Sequence, residues 1–215
     1  MVNAFEKMDR MYRYQRYFYD FTRKYYLLGR DKLLKQITVK DDDNLLELGC
    51  GTARNLIILA QKYPNANFFG LDASAEMLKT AQKKIEAKGL TNITLKPSLA
   101  DEFSFDKTFD LDDKFDTCFF SYALSIIPPW QASLEGALDN LKPGGNLYIV
   151  DFYDGKDLPT WFRKLLNAWL KQFHVAYPRE LIPHLESLEK QGAGELKVKS
   201  IAKSYAFIAE LRKKY

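Results

Sequence analysis

A chain of 215 residues is long enough to bury a full hydrophobic core in one domain, and 47% hydrophobic with 28% charged residues is ordinary for a globular protein. No apolar run approaches the roughly 20 residues that span a bilayer, and no secretory leader pattern opens the sequence, so the cytoplasm is the expected compartment. The two cysteines, Cys50 and Cys118, lack a CxxC or histidine partner at metal spacing, so neither a disulfide framework nor a metal site is expected.

The net charge of +4 is modest but unevenly spread. Residues 1–40 hold ten Lys or Arg against four Asp or Glu, a surplus of six, which leaves the remainder slightly acidic. This basic, tyrosine-rich arm has helical composition over residues 4–36, interrupted at Leu28-Gly29 where a glycine C-cap is expected. Its charge suits an anionic surface or ligand. The body then alternates strand and helix. Strands are predicted at 45–48, 67–71, 93–96, 115–120 and 146–151, with helices at 55–62, 75–88 and 134–141 between them. Such alternation, wound right-handed, gives a parallel doubly wound sheet with ligands beyond the carboxyl ends of its strands. Gly49, Asp72, Asp101, Ser121 and Asp151 fall there.

After the fifth strand an insertion is predicted over 155–178. Its segment PTWFRKLLNAWLKQF (159–173) is expected to place Trp161, Phe162, Leu165, Leu166, Trp169, Leu170 and Phe173 on one helical face, with Arg163, Lys164, Asn167, Lys171 and Gln172 on or beside the other. Packing on its own domain and lying at a membrane interface are both open to such a helix. A helix at 179–190 and strands at 195–199 and 204–211, an antiparallel hairpin, complete a single domain spanning 1–215.

The chemistry is concentrated in LLELGCGTARN (45–55). A strand turns through Gly49 and Gly51 into a helix, and glycines suit a backbone that a ligand must touch. A nicotinamide or flavin site would place a third glycine where Arg54 stands. The pattern ELGCGTA instead resembles the first motif of class I S-adenosylmethionine-dependent methyltransferases. Supporting it are Asp72 at the second strand's tip, Met77 in D-x-S-x-x-M, Asp101 after the third strand and Lys142-Pro143-Gly144-Gly145 before the fifth.

That resemblance implies a Rossmann-like class I fold, an α/β doubly wound sheet, mostly parallel with a final antiparallel strand. It further implies S-adenosylmethionine as cofactor and S-adenosylhomocysteine as product. Gly49, Cys50 and Gly51 would face the methionine portion, with Glu47 orienting the turn or the ammonium. Asp72, with Ala73 beside it, would hold the ribose hydroxyls, a geometry open to a carboxylate. Asp101 would take the adenine amine beside Leu99, Ala100 and Met77, although a helix N-cap before Glu102 is an alternative for Asp101. Ser121 stands next to the cofactor. On the acceptor side, Tyr122, Asp154 and His174 are the catalytic candidates, none in an obvious triad, and Tyr153 is a substrate contact.

A narrower resemblance follows from YRYQRYFYDFTRKYYLLGRDKLL (12–34), SYALSIIPPW (121–130) and FHVAYPRELIPHLESL (173–188). Together with the glycine turn they resemble the betaine-lipid N-methyltransferase family across nearly the whole chain. This implies three methylations of diacylglyceryl-homoserine to the trimethylated lipid, with the 3-amino-3-carboxypropyl transferase as partner enzyme. Arg30 or Arg179 would pair with the homoserine carboxylate, or Arg30 with that of the cofactor. Tyr19 and Tyr26 would close over the cofactor, Tyr25 being better suited to core packing. Trp161 and Trp169 would meet the lipid, and the enzyme would sit peripherally on an anionic inner membrane face.

Other acceptors stay open: phosphatidylethanolamine, a quinone-type lipid or a small amine. Nucleic acid is not expected as a partner, because Ser121-Tyr122-Ala123-Leu124 follows the fourth strand where methyltransferases of exocyclic base nitrogens carry [N/D]-P-P-[Y/F/W]. A non-catalytic protein that binds the cofactor is the remaining alternative.

Overall fold

Adjacent apolar residues within the central strands dictate a sheet covered on both sides. Successive side chains of a strand point to opposite faces. Leu45, Phe68, Phe119 and Val150 therefore join one buried cluster, while Leu46, Phe69, Phe120 and Ile149 join another. The computed structural model describes residues 27–172, 175 and 177–214.

Within them the elements run in order: α1 (Arg30–Gln36), β1 (Asn44–Leu48), α2 (Arg54–Lys62), β2 (Asn67–Asp72), α3 (Ala75–Glu86), β3 (Ile93–Pro97), α4 (Phe105–Phe109), β4 (Phe115–Ser121), α5 (Trp130–Asp139), β5 (Leu141–Phe152), α6 (Thr160–Gln172), α7 (Leu181–Lys190), β6 (Gly194–Ile201) and β7 (Ala206–Lys213). The seven strands lie in the order β3-β2-β1-β4-β5-β7-β6. β1 to β5 pair in parallel, and β7 runs antiparallel against both β5 and β6. Residues of α1, α2 and α3 fill the first cluster. Those of α4, α5 and α7 fill the second, where Phe69, Phe109 and Phe115 meet edge to face at 5.3–5.7 Å.

The predicted α/β alternation and the antiparallel hairpin are present, with three differences in local structure. The helix before β5 starts at Trp130, directly after Pro128-Pro129, rather than at residue 134. Proline is compatible with a helix start because the first turn needs no N–H donor. Leu141, assigned to that helix from sequence, opens β5 instead. The short helix α4 has no counterpart among the predicted elements; Ser104 caps it by accepting from the Lys107 N–H.

Lys142-Pro143-Gly144-Gly145 lies at the amino end of β5, opposite the carboxyl ends of the strands. Lys142 pairs there with Asp116 at 2.9 Å and Asp113 at 3.2 Å. This motif thus ties the lower edge of the sheet. Among the described residues no helix is long and apolar enough to cross a membrane, and no group of His, Cys, Asp or Glu has metal-holding geometry.

Candidate active site

The turn after β1 and the tip of β2 are built as one unit. Gly49 has φ of 73°, and the N–H groups of Gly49 and Cys50 both donate to the Leu71 carbonyl, at 2.9 and 3.0 Å. A Cβ at Gly49 would stand 2.8 Å from that of Ala123, so β4's exit loop also requires this glycine. The Gly51 N–H donates to Asp72 Oδ2 at 2.8 Å, and the Ser74 N–H to Oδ1 at 2.9 Å.

Side chains beneath the turn hold it in place. Buried Glu47 accepts from Asn55 Nδ2 at 2.7 Å, linking β1 to the first turn of α2. Cys50 turns its thiol inward: a Cβ on Gly70 would lie 2.9 Å from Sγ, and 2.7 Å from Leu56 Cδ1. Burial, reinforced by Asp72 and Glu47, pushes that thiol well above its ordinary range, so Cys50 offers a ligand its backbone and an inert side chain. Arg54 opens α2 and pairs with Asp31 on α1 at 3.0 Å. Its side chain is directed to α1, which explains why no third glycine is needed there.

The D-x-S-x-x-M pattern has a structural origin. Ser74 is the N-cap of α3 and its hydroxyl accepts from the Met77 N–H at 3.3 Å, with Met77 buried and Ala73 half-buried. After β3 the chain turns through Leu99, Ala100 and Asp101, with the Glu102 N–H donating to Leu99 O at 3.2 Å. No helix starts at Glu102, so the N-cap alternative for Asp101 falls away. Its half-buried carboxylate accepts no hydrogen bond among the described residues. α5 presses on this turn: a Cβ at Gly136 would lie 3.2 Å from Ala100 O.

Beyond β4, the Ser121 hydroxyl is buried without a hydrogen-bond partner among the described residues. A buried, unsatisfied hydroxyl is costly unless something fills its place. Tyr122 differs from its expected catalytic role. It is 2% exposed, its hydroxyl donates to the Leu28 carbonyl, and its ring meets Phe152 edge on at 4.8 Å. Burial holds the phenol well above its ordinary range, with Asp151 adding to the shift and the Arg30 cation opposing it. A neutral hydroxyl committed to a backbone carbonyl is a tether for residues 27–29, and Arg30, buried at the start of α1, follows directly.

Asp151, fully buried at the end of β5, accepts from the Phe152 N–H at 2.8 Å and the Ser125 N–H at 3.0 Å. Burial pushes its carboxyl up to about 6 against these hydrogen bonds. It fixes the loop after β4 to β5. Asp154, by contrast, is exposed and accepts from the Lys156 N–H at 3.0 Å, closing a local turn. Tyr153 is half-buried between the ring edges of Tyr177 and Phe207, at 5.8 and 5.7 Å. Burial pushes the Tyr177 hydroxyl up to about 12, so that hydroxyl stays neutral. Arg179 is exposed in the turn before α7. Tyr19, Tyr26, Phe173 and His174 lie outside the described residues.

Of the seven apolar residues expected on a single face of the 159–173 helix, the six that are described separate in the structure. Phe162, Leu166, Trp169 and Leu170 pack on the first core cluster. Trp161 and Leu165 point outward, 70% and 62% exposed. Eight residues turn a helix by two turns and about 80° more, so Trp161 and Trp169 cannot share a narrow face. Sequence reasoning also passed over the roles of Asn55, Gly70, Ala123 and Asp151. Gly70 carried a signal, since a glycine inside an apolar strand marks close approach. So did Asp151, a carboxylate closing the apolar run LYIV.

A seven-stranded sheet with this order, whose glycine turn is bonded to the carboxylate at the tip of β2, defines the class I S-adenosylmethionine-dependent methyltransferases. Residues 39–204 match the family model described as "Methyltransferase domain", and the chain belongs to that family. It is 30% identical over 149 residues to the demethylmenaquinone methyltransferase of Listeria welshimeri, covering 69% of this chain and 60% of that protein. The chain thus spans 60% of the length of that relative. The demethylmenaquinone methyltransferase of Geobacillus kaustophilus is 30% identical over 181 residues, 84% of this chain and 70% of that protein.

Solved structures agree on the fold. The methyltransferase SibL in its apo form superposes with a TM-score of 0.71 at 20% identity, over 92% of this chain and 58% of SibL. A SAM-dependent methyltransferase from Aquifex aeolicus gives 0.63 at 21% identity, over 96% of this chain and 95% of that one. Haemonchus contortus phosphoethanolamine N-methyltransferase 2, in complex with S-adenosylmethionine, gives 0.71 at 16% identity, over 87% of this chain and 52% of that one. These likenesses concern the fold; the family assignment rests on the match over residues 39–204.

Proposed function

We propose that this methyltransferase acts on a lipid acceptor, with the cofactor held by the carboxyl ends of β1 to β4. The observation that carries the cofactor assignment is the Gly51 N–H bonded to Asp72 over 2.8 Å, which fixes a carboxylate beside a glycine turn. Asp72 would hold the ribose hydroxyls. Asp101, whose carboxylate accepts nothing among the described residues, would take the adenine amine beside Leu99, Ala100 and Met77. The orphan Ser121 hydroxyl, Glu47, Ala73, Arg30 and the backbone of Gly49 to Gly51 complete the cradle. When bound, the cofactor supplies a methyl group on a positively charged sulfur.

The protein's own contribution is then alignment and exclusion of water, since in-line displacement needs the acceptor atom held opposite the sulfur. Asp151 serves this by fixing the loop after β4, and Tyr122 by tethering residues 27–29. Tyr153 and Tyr177 offer an aromatic wall on the side of β5.

Two lipid acceptors have separate support. The names of the relatives favour a quinone-type ring such as that of demethylmenaquinone. The motifs YDFTRKYYLLGRD (19–31) and FHVAYPR (173–179) favour the amino lipid diacylglyceryl-homoserine, methylated three times on nitrogen. Full-length protein incubated with methyl-labelled S-adenosylmethionine and each lipid in detergent separates them by mass spectrometry. A gain of one methyl on the quinol supports the first reading, and a ladder of one to three methyls on the amino lipid the second. Label on neither lipid contradicts a lipid acceptor of either class.

A further inference from the structure

We propose that the outer face of α6 is a docking surface for an anionic phospholipid bilayer. Trp161 and Leu165 are the most exposed large apolar side chains among the described residues, at 70% and 62%, and stand one helical turn apart. Exposed Lys164 lies between them and exposed Ala168 one turn on, so positions 161, 164, 165 and 168 form one continuous stripe. Scattered exposed apolar residues need no explanation, but a tryptophan and a leucine adjacent on one stripe are an unpartnered patch.

Folding does not account for the patch. α6 is already fixed to the core through Phe162, Leu166, Trp169 and Leu170 on its other side. The Trp161 indole stands edge on to Phe162 at 5.7 Å, which steadies it in its outward position.

Charge identifies the occupant. Exposed Lys164 stands within the stripe itself, and α6 carries no acidic residue to oppose it. A protein partner of ordinary composition has no particular use for such a combination, whereas a lipid surface of negative charge attracts the cation while its interface accepts tryptophan and leucine. α6 follows β5 by the loop 153–159, at the end of the sheet where Gly49, Asp72 and Ser121 lie. Docking through α6 would therefore bring that end of the molecule to the membrane. The surface does not depend on which acceptor is methylated.

The test measures binding without turnover. Full-length protein is sedimented with vesicles of phosphatidylcholine alone or of phosphatidylcholine with phosphatidylglycerol. Binding is expected only to the second, weakened by salt, and lowered about 10-fold or more by Trp161→Ser with Leu165→Ser. The single variant Trp161→Phe should keep most of it. S-adenosylhomocysteine affinity and melting temperature should not move in any of these, which separates loss of docking from misfolding. Absence of vesicle binding by the unaltered protein, equal binding to both vesicles, or equal binding by the double variant overturns the proposal. So does conversion of a wild-type dimer to a monomer by the double substitution, which would assign the patch to a second copy of this chain.

Discussion

Gly49 and Ala123 stand so close that a single added methyl would place two Cβ atoms 2.8 Å apart. The turn after β1 and the loop after β4 therefore define each other's position, and the floor of the candidate site is the Gly49 backbone against the Ala123 methyl rather than a contact between long side chains.

Gly49→Ala is expected to destabilise the protein by about 2–4 kcal/mol, combining the clash with a φ of 73° that alanine adopts only under strain. Adding Ala123→Gly removes the clash and leaves the strain. The double variant should recover part of the loss in a urea titration, and recovery of none of it would show that the approach of Ala123 is not what demands glycine.

Tyr122→Phe tests whether that residue is a tether or a base. Loss of its hydrogen bond to the Leu28 carbonyl should cost about 0.5–1.5 kcal/mol in stability. Amide exchange around Leu28 to Arg30 should quicken, with the pH profile of methyl transfer unchanged. A profile that loses its basic limb with stability intact would assign Tyr122 to proton transfer.

Asp151 gives stability a definite dependence on pH. Its carboxyl binds a proton more tightly in the folded chain, at about 6, than at its ordinary 3.8. The folded state thus holds more protons between those values, and this group's contribution falls as pH rises from about 4 to 6, by on the order of 3 kcal/mol at most. Asp151→Asn should abolish that component. It should also lower stability by about 1–3 kcal/mol near neutrality, because one of the Phe152 and Ser125 N–H groups would then face an amide NH2. Urea titrations at several pH values read both effects, and an unchanged slope in the variant would contradict the assignment.

The sheet was legible in the sequence because its periodic signals are local: apolar runs of strand length, helices between them, and glycine at the turn. Asp72 and Gly51 were legible for the same reason, lying one βα unit apart. The pairings that shape the site were not: Gly49 against Ala123 joins two strand exits far apart in sequence, and Ser125 against Asp151, although only 26 residues apart, carries no motif that marks it. The face of Trp169 was misjudged because seven apolar residues in fifteen satisfy more than one helical stripe. Only the neighbours decide which stripe goes inward. Tyr122 looked reactive from its place after β4, yet its surroundings bury it.

The central claim is that the glycine turn and Asp72 hold S-adenosylmethionine. Calorimetric titration of S-adenosylhomocysteine into the full-length protein and into Asp72→Ala measures this directly. Two hydrogen bonds to a charged acceptor predict affinity about 100-fold weaker or more in the variant, since each contributes about 1.5–3 kcal/mol. Some stability should be lost with the Gly51 and Ser74 contacts, so circular dichroism must show the variant folded at the temperature used. Equal affinity in the two folded proteins would contradict the account.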